Sequence, residues 1–223
     1  MKVIGLVGSP HGTRGNTGRL LEFVMEGAVS RGAETETIAL RWEKVRPCLA
    51  CDVCHQKGEC PQDDDFENIR GKINAADGLV LASPNYIFSV SAQLKAFMDR
   101  CSGVIHCLAF EGKYGASVVT SGGGDEAPIA EYMNHFLMTT GIIPVGAVWA
   151  TMGALPGGGI PGGARGKARL LGEKLVTAWE NRERPADIDA KIKAFSERMR
   201  ALIAYRQDEW PHEHAYWRDH RGL

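Results

Sequence analysis

The sequence predicts an α/β domain built on a parallel sheet with helices on both faces. Two observations predict it. Short, mostly apolar segments alternate with helix-patterned ones, and clusters of Gly, Ser, Pro and Asn follow the first, third and fourth apolar segments. Strands buried on both faces read as continuous apolar runs, and their alternation with amphipathic helices builds parallel βαβ units. Ligands of such sheets bind outside the carboxyl ends of the strands, so these clusters are expected to meet on one edge.

The elements follow in order. Lys2–Val7 reads as a buried strand running into Gly8-Ser9-Pro10. Leu20, Leu21, Val24, Met25, Ala28 and Val29 then fall on one helical face, which Gly32 ends. Thr35–Leu40 is a second strand. A cysteine-bearing loop leads to a helix over about 66–76, with Asp64 or Asp65 as its cap. Gly78–Ala82 is a third strand, ending at Ser83-Pro84-Asn85-Tyr86. A helix over 91–101 buries Leu94, Phe97, Met98 and Cys101. Ala116–Thr120 is a fourth strand, ending at Ser121-Gly122-Gly123-Gly124. A helix over 127–140 and a fifth strand at Ile142–Ala150 complete the sheet.

Beyond Ala150 the character changes. Met152–Gly166 is rich in Gly and Pro and reads as a mobile loop. A helix over 167–181 follows, and a second places Ile188, Ile192, Phe195, Met199 and Leu202 at helical spacing. Residues 1–150 are thus expected to form the ligand-binding domain, with 43–65 as a cysteine-rich insertion. Residues 151–223 form a Gly-rich loop and helical extension too short to bury a core of its own.

Composition narrows the function. A net charge of −1 gives no bulk attraction to nucleic acid or to an anionic membrane. The first apolar run is too short for a signal peptide, and no long apolar stretch follows, which predicts a cytoplasmic location without a membrane span. In a reducing compartment the six cysteines are not a disulfide framework.

The loop Gly8-Ser9-Pro10-His11-Gly12-Thr13-Arg14-Gly15-Asn16-Thr17 joins the first strand to the first helix. Small residues let backbone N–H groups turn inward, and the helix N-terminus adds positive potential. Ser9, Thr13, Asn16 and Thr17 offer further donors. The loop is neither G-x-x-x-x-G-K-[ST] nor G-x-G-x-x-G, so it fits a held monophosphate better than a hydrolysed nucleotide or a dinucleotide.

At this point the residues resemble a known family. Gly8-Ser9-Pro10 with Gly15-Asn16-Thr17, then Ser83-Pro84-Asn85-Tyr86 with Leu94-Lys95-Ala96-Phe97-Met98-Asp99-Arg100, is similar to the NAD(P)H-dependent FMN reductases of the flavodoxin-like superfamily. The resemblance covers about residues 1–150 and is strongest to the iron–sulfur flavoproteins. It implies a three-layer flavodoxin-like sandwich with strand order 2-1-3-4-5. It also implies FMN, its phosphate held by Ser9, Thr13, Asn16 and Thr17. Pro84, Asn85, Tyr86 and Phe88 would border the ring and ribityl chain, and the backbone at Ser121, Gly122 and Gly123 would approach the pyrimidine edge. No side chain is placed as a nucleophile, because the flavin carries the chemistry.

Cys48, Cys51, Cys54 and Cys60 have the spacing C-x2-C-x2-C-x5-C. Three readings stay open: a [4Fe–4S] cluster, a structural zinc, and an empty loop of free thiols. His55, between the ligands, is expected to be a solvated loop residue. The resemblance further implies a homodimer or homotetramer, with NAD(P)H or a ferredoxin-like protein as electron donor. A flavin-binding sensor without turnover is the rival function.

Overall fold

The computed structural model describes residues 1–40, 45–153 and 159–223. Residues 41–44 and 154–158 lie outside them, and with these the start of the 43–65 insertion and the middle of the 152–166 loop.

Five strands, β1 (Lys2–Val7), β2 (Glu34–Ala39), β3 (Gly78–Pro84), β4 (Tyr114–Ser121) and β5 (Ile143–Thr151), form one sheet. All neighbours are parallel, in the order β2-β1-β3-β4-β5 that the resemblance implies. Successive side chains of a strand point to opposite faces, so each central strand feeds two cores. Val3, Val7, Val80 and Ala82 enter one cluster, and Ile4, Leu6, Leu79 and Leu81 the other.

The first core is closed by α1 (Asn16–Ser30), α7 (Gly162–Glu180) and α8 (Ala186–Tyr205). The second is closed by α3 (Phe66–Asn74), α4 (Ala92–Asp99) and α6 (Glu126–Thr139). Ile192, Phe195 and Met199, read from the sequence as one helical stripe, are buried in the first core beside the sheet residues. Among the described residues, no helix is long and apolar enough to cross a membrane.

α1 and α7 cross at reciprocal glycines. A Cβ on Gly27 would lie 2.0 Å from the Arg169 carbonyl oxygen, and one on Gly172 would lie 1.9 Å from that of Val24. Alanine normally stabilises a helix interior by about 1 kcal/mol over glycine. Here overpacking reverses the sign: Gly172→Ala is expected to lower stability by about 2–3 kcal/mol, read from urea unfolding.

Three short helices escape the sequence pattern: α2 (Val53–Lys57), α5 (Ser102–Cys107) and α9 (Pro211–Arg221). The helix expected over 91–101 tightens at its end, where Arg100 and Cys101 donate to the carbonyls of Phe97 and Met98, and the chain restarts as α5. Cys101 is buried, as its place on the apolar face predicts. His55 corrects the sequence reading. It is 5% exposed, because α9 covers the loop that carries it.

Candidate functional site

The loops after β1, β3, β4 and β5 meet at the carboxyl edge of the sheet around a cavity of about 270 Å³. From the first loop come Ser9, Asn16 and Thr17, with His11, which the sequence reading did not single out. Pro84, Asn85 and Tyr86 come from the third strand's loop, and Ser121 and Gly122 from the fourth's. Thr120, Met152 and Gly153 complete the lining. Thr13, Phe88 and Gly123 stand outside it.

Each wall is fixed by local chemistry. At the helix end, Gly15 caps α1 without a side-chain hydrogen bond, and the first turn holds no acidic residue. Its N–H groups thus keep their capacity for an anion. The Thr17 and Thr120 hydroxyls, 2.7 Å apart, tie that turn to the end of β4. Gly8 lets β1 pass close to α4, since a Cβ there would lie 2.7 Å from the Ser91 hydroxyl. That hydroxyl caps α4 through the Leu94 N–H and donates to the Gly8 carbonyl at 2.5 Å.

Asn85 joins two walls: its backbone N–H donates to the Thr120 carbonyl, and its Nδ2 donates to that of Gly124. Its Oδ1 is buried without a hydrogen-bond partner among the described residues. An orphaned acceptor in a ligand cavity is the mark of a donor group to be bound there, since leaving it unmet costs about 1–3 kcal/mol. The flavin ring edge carries such a donor. With the uncapped helix end, and with no described residue within 4 Å of a Cβ added at Gly122, the residues fit FMN.

Beyond Asn85, Tyr86 and Ser89 exchange backbone hydrogen bonds across a two-residue turn. Ile87 and Phe88 at its tip have φ of +48° and +60°. β-branched residues rarely adopt that region, and each such residue costs on the order of 1–3 kcal/mol. The hydrogen-bonded turn nevertheless projects Ile87 and Phe88 from the surface, 91% and 77% exposed.

Glu126, unnoticed in the sequence, braces the fourth-strand loop. It is buried, and the Ser121 and Thr151 hydroxyls donate to it; Ser121 in turn accepts from the Gly124 N–H. Burial opposes its charge, but those hydrogen bonds win and hold its carboxyl below the ordinary range. A depressed folded-state pKa means stability fully present above the ordinary value near 4.5 and lost as pH falls through the folded one. Glu126→Gln is expected to cost about 1–3 kcal/mol at neutral pH and to flatten this acid limb, measured by urea melts between pH 3 and about 6.

The cysteine loop builds a second cavity, about 170 Å³, lined by all four of Cys48, Cys51, Cys54 and Cys60. All are free thiols. The chain curls around it through left-handed residues Ala50 and Asp52, with φ of +49° and +58°. The sulfurs already receive hydrogen bonds: the Ala50 N–H donates to Cys48 Sγ at 3.4 Å and Arg100 Nη2 donates to Cys60 Sγ at 3.0 Å. Arg100 is held by the Asp64 carboxylate, which also accepts from the backbone N–H groups of Arg46 and Phe66. Of the two aspartates expected to start α3, Asp64 is the one whose side chain takes the Phe66 N–H. Burial raises the Cys54 thiol to about 11, helped by the negative charge of Glu213 and the neighbouring cysteines. A set of thiols that hinder one another's ionisation is completed by positive charge, which bound iron or zinc supplies. Donors on sulfur and four thiols around one cavity fit a cluster.

Behind the loop, His55, His106 and Glu213 place one ligand atom each within 4.8 Å of one another. The His55 Nδ1–Glu213 Oε1 contact is 2.5 Å, a hydrogen-bond length and shorter than the about 3.3 Å between two ligands of a tetrahedral ion. Burial opposes the Glu213 charge, yet hydrogen bonds from His106 and His55 hold it below the ordinary carboxylate range. The same bond raises His55.

A parallel sheet in this order, with anion-ready loops at its carboxyl edge, defines the flavodoxin-like class. Solved structures agree on the fold. An apo NADH:FMN oxidoreductase superposes with a TM-score of 0.60 at 17% identity, over 79% of this chain and 89% of that one. A WrbA-like flavodoxin from Agrobacterium tumefaciens gives 0.53 at 19% identity, over 82% and 98%.

The chain belongs to the NADPH-dependent FMN reductase family, whose model matches residues 1–155, and it is an FMN-dependent oxidoreductase. Among its relatives is an iron–sulfur flavoprotein from Archaeoglobus fulgidus, 35% identical over 86% of this chain and 88% of its own length. Another, from Methanocaldococcus jannaschii, is 38% identical over 64% and 75%.

Proposed function

We propose that this protein passes electrons from NAD(P)H or a ferredoxin-like donor to an acceptor still to be identified, using FMN at the sheet edge and a [4Fe–4S] cluster in the cysteine loop. The observation that carries the cluster is the single cavity lined by Cys48, Cys51, Cys54 and Cys60, with hydrogen bonds already on two of the sulfurs. The names of the archaeal relatives support it. When bound, FMN supplies two-electron hydride chemistry and one-electron transfer, and the cluster supplies single electrons.

The chain's residues do the binding and positioning. The first turn of α1, with Ser9, Asn16 and Thr17, would hold the phosphate, and Thr13 would add a donor from the rim. Pro84, Asn85 and Tyr86 would wall the ring, with Phe88 reaching it from the exposed turn tip. The backbone at Ser121, Gly122 and Gly123 would meet the pyrimidine edge. Arg100, fixed by Asp64, keeps a positive donor on Cys60, which favours the thiolate as ligand. The exposed tip at Ile87 and Phe88 supports a homodimer or homotetramer that covers it. This reading includes the cytoplasmic location expected from the sequence.

The test is anaerobic. NADH or NADPH added under nitrogen is expected to bleach the flavin band within seconds, or else a reduced ferredoxin does so. A flavin that neither pyridine nucleotide nor ferredoxin reduces would overturn the electron-transfer reading and leave a sensor.

A further inference from the structure

We propose that α9 is a clasp for the cysteine loop, and that Glu213 is its positioning residue. The proposal rests on the cluster reading above, and α9 lies outside the residues 1–155 matched by the family model.

α2, which carries Cys54 and His55, has five residues between left-handed positions at Asp52 and Gly58. A single isolated turn does not hold itself in water, because helix nucleation is unfavourable. Its order comes from packing, and α9 supplies it. Glu213, fully buried, accepts from His55 Nδ1 at 2.5 Å and from His106 Nδ1 at 3.1 Å. Trp210 stacks on both imidazoles with centroid distances of 4.7 Å. The His212 ring sits against Gly58 so closely that a Cβ there would lie 2.3 Å from it.

The other end of α9 is anchored independently. Trp217 Nε1 donates to the His106 carbonyl at 2.9 Å, and Arg221 Nε donates to that of Cys107 at 3.1 Å. The helix therefore bridges α5 to the loop. Because His55 directly follows Cys54, fixing that imidazole fixes the backbone from which the third cysteine projects. A buried carboxylate is tolerated only where it is paired, and removing it strands two imidazole donors, the buried one of His55 and the partly buried one of His106. The loop then loses its only buried charged anchor among the described contacts of α2 and α9.

The experiment uses full-length Glu213→Ala, Glu213→Gln and the exposed control Glu209→Ala, each reconstituted with iron and sulfide under nitrogen. Two quantities are read: iron and FMN per chain, and amide hydrogen exchange over residues 48–60 in the iron-free proteins. Glu213→Ala is expected to weaken iron retention about tenfold or more while FMN content stays at the wild-type level. Exchange over 53–58 is expected to speed about tenfold, with the sheet amides unchanged. Glu209→Ala should match wild type. Should loss of FMN show that Glu213→Ala does not fold, Glu213→Gln, which keeps the volume and loses the charge, makes the same comparison. Unchanged iron and unchanged exchange overturn the clasp. Wild-type protein that takes up no iron overturns the cluster reading instead, and the clasp is then decided by the exchange rates alone.

Discussion

Cys51→Ser is expected to abolish cluster loading, dropping iron from about four per chain to a small residue while FMN stays in place. Cys51 is an informative position because it is exposed; Cys48 is exposed too, but it accepts from the Ala50 N–H. A surface Cys→Ser change costs the fold at most about 0.5 kcal/mol, so lost iron there reports a lost ligand and not a lost structure. Cys54 is half-buried and Cys60 accepts from Arg100, so changes at either mix ligation with packing. The counterpart is Cys101→Ala. Cys101 is fully buried, its thiol is pushed far up by burial, and its Sγ bonds the Phe97 carbonyl. That variant is expected to lose stability by about 1–2 kcal/mol and no iron. Iron and sulfide assays beside urea melts separate the two outcomes.

Asn16→Asp is expected to weaken FMN binding about a hundredfold or more without harming the apoprotein. Asn16 opens α1 and lines the sheet-edge cavity. The substitution keeps the shape and adds one negative charge where a phosphate would sit. Two unit charges at about 4–6 Å interact by roughly 3–4 kcal/mol at an effective dielectric of 20, and about 2.7 kcal/mol is already a hundredfold in affinity. The same charge suits a helix N-terminus, so the melting temperature of the apoprotein should hold or rise slightly. Flavin fluorescence titration reads the first effect and a thermal melt the second. Unchanged affinity would move the phosphate away from α1.

Much of the sheet was legible because its causes are local. Lys2–Val7 and Gly78–Ala82 are apolar runs ended by Gly, Ser or Pro, and they became β1 and β3 with those boundaries nearly intact. Ser9, Asn16, Thr17, Asn85, Tyr86 and Ser121 were legible as lining for a related reason: a parallel sheet sends the loops after its strands to one edge.

The missed features depend on partners distant in sequence. His55 looked solvated because it sits in a short loop between the cysteines, and its partner Glu213 lies 158 positions away. α9 carries many charges and no apolar stripe of ordinary width, so periodicity passed over it; its buried residues are Glu213 and Trp217. Arg100 stood in the sequence only as the end of the Leu94–Arg100 motif, and its partners Asp64 and Cys60 lie 36 and 40 positions away. The turn at Ile87 and Phe88 had no signal, since an Ile-Phe pair is the reverse of what a left-handed turn favours.

The most direct test of the two-cofactor account is to purify the protein without oxygen and measure iron, acid-labile sulfide and FMN per chain beside the visible spectrum. The account predicts about four irons and four sulfides with one FMN, and broad visible absorbance overlying the flavin bands. FMN alone, with negligible iron after reconstitution, would contradict it and leave a flavin reductase whose cysteine cavity holds no cluster.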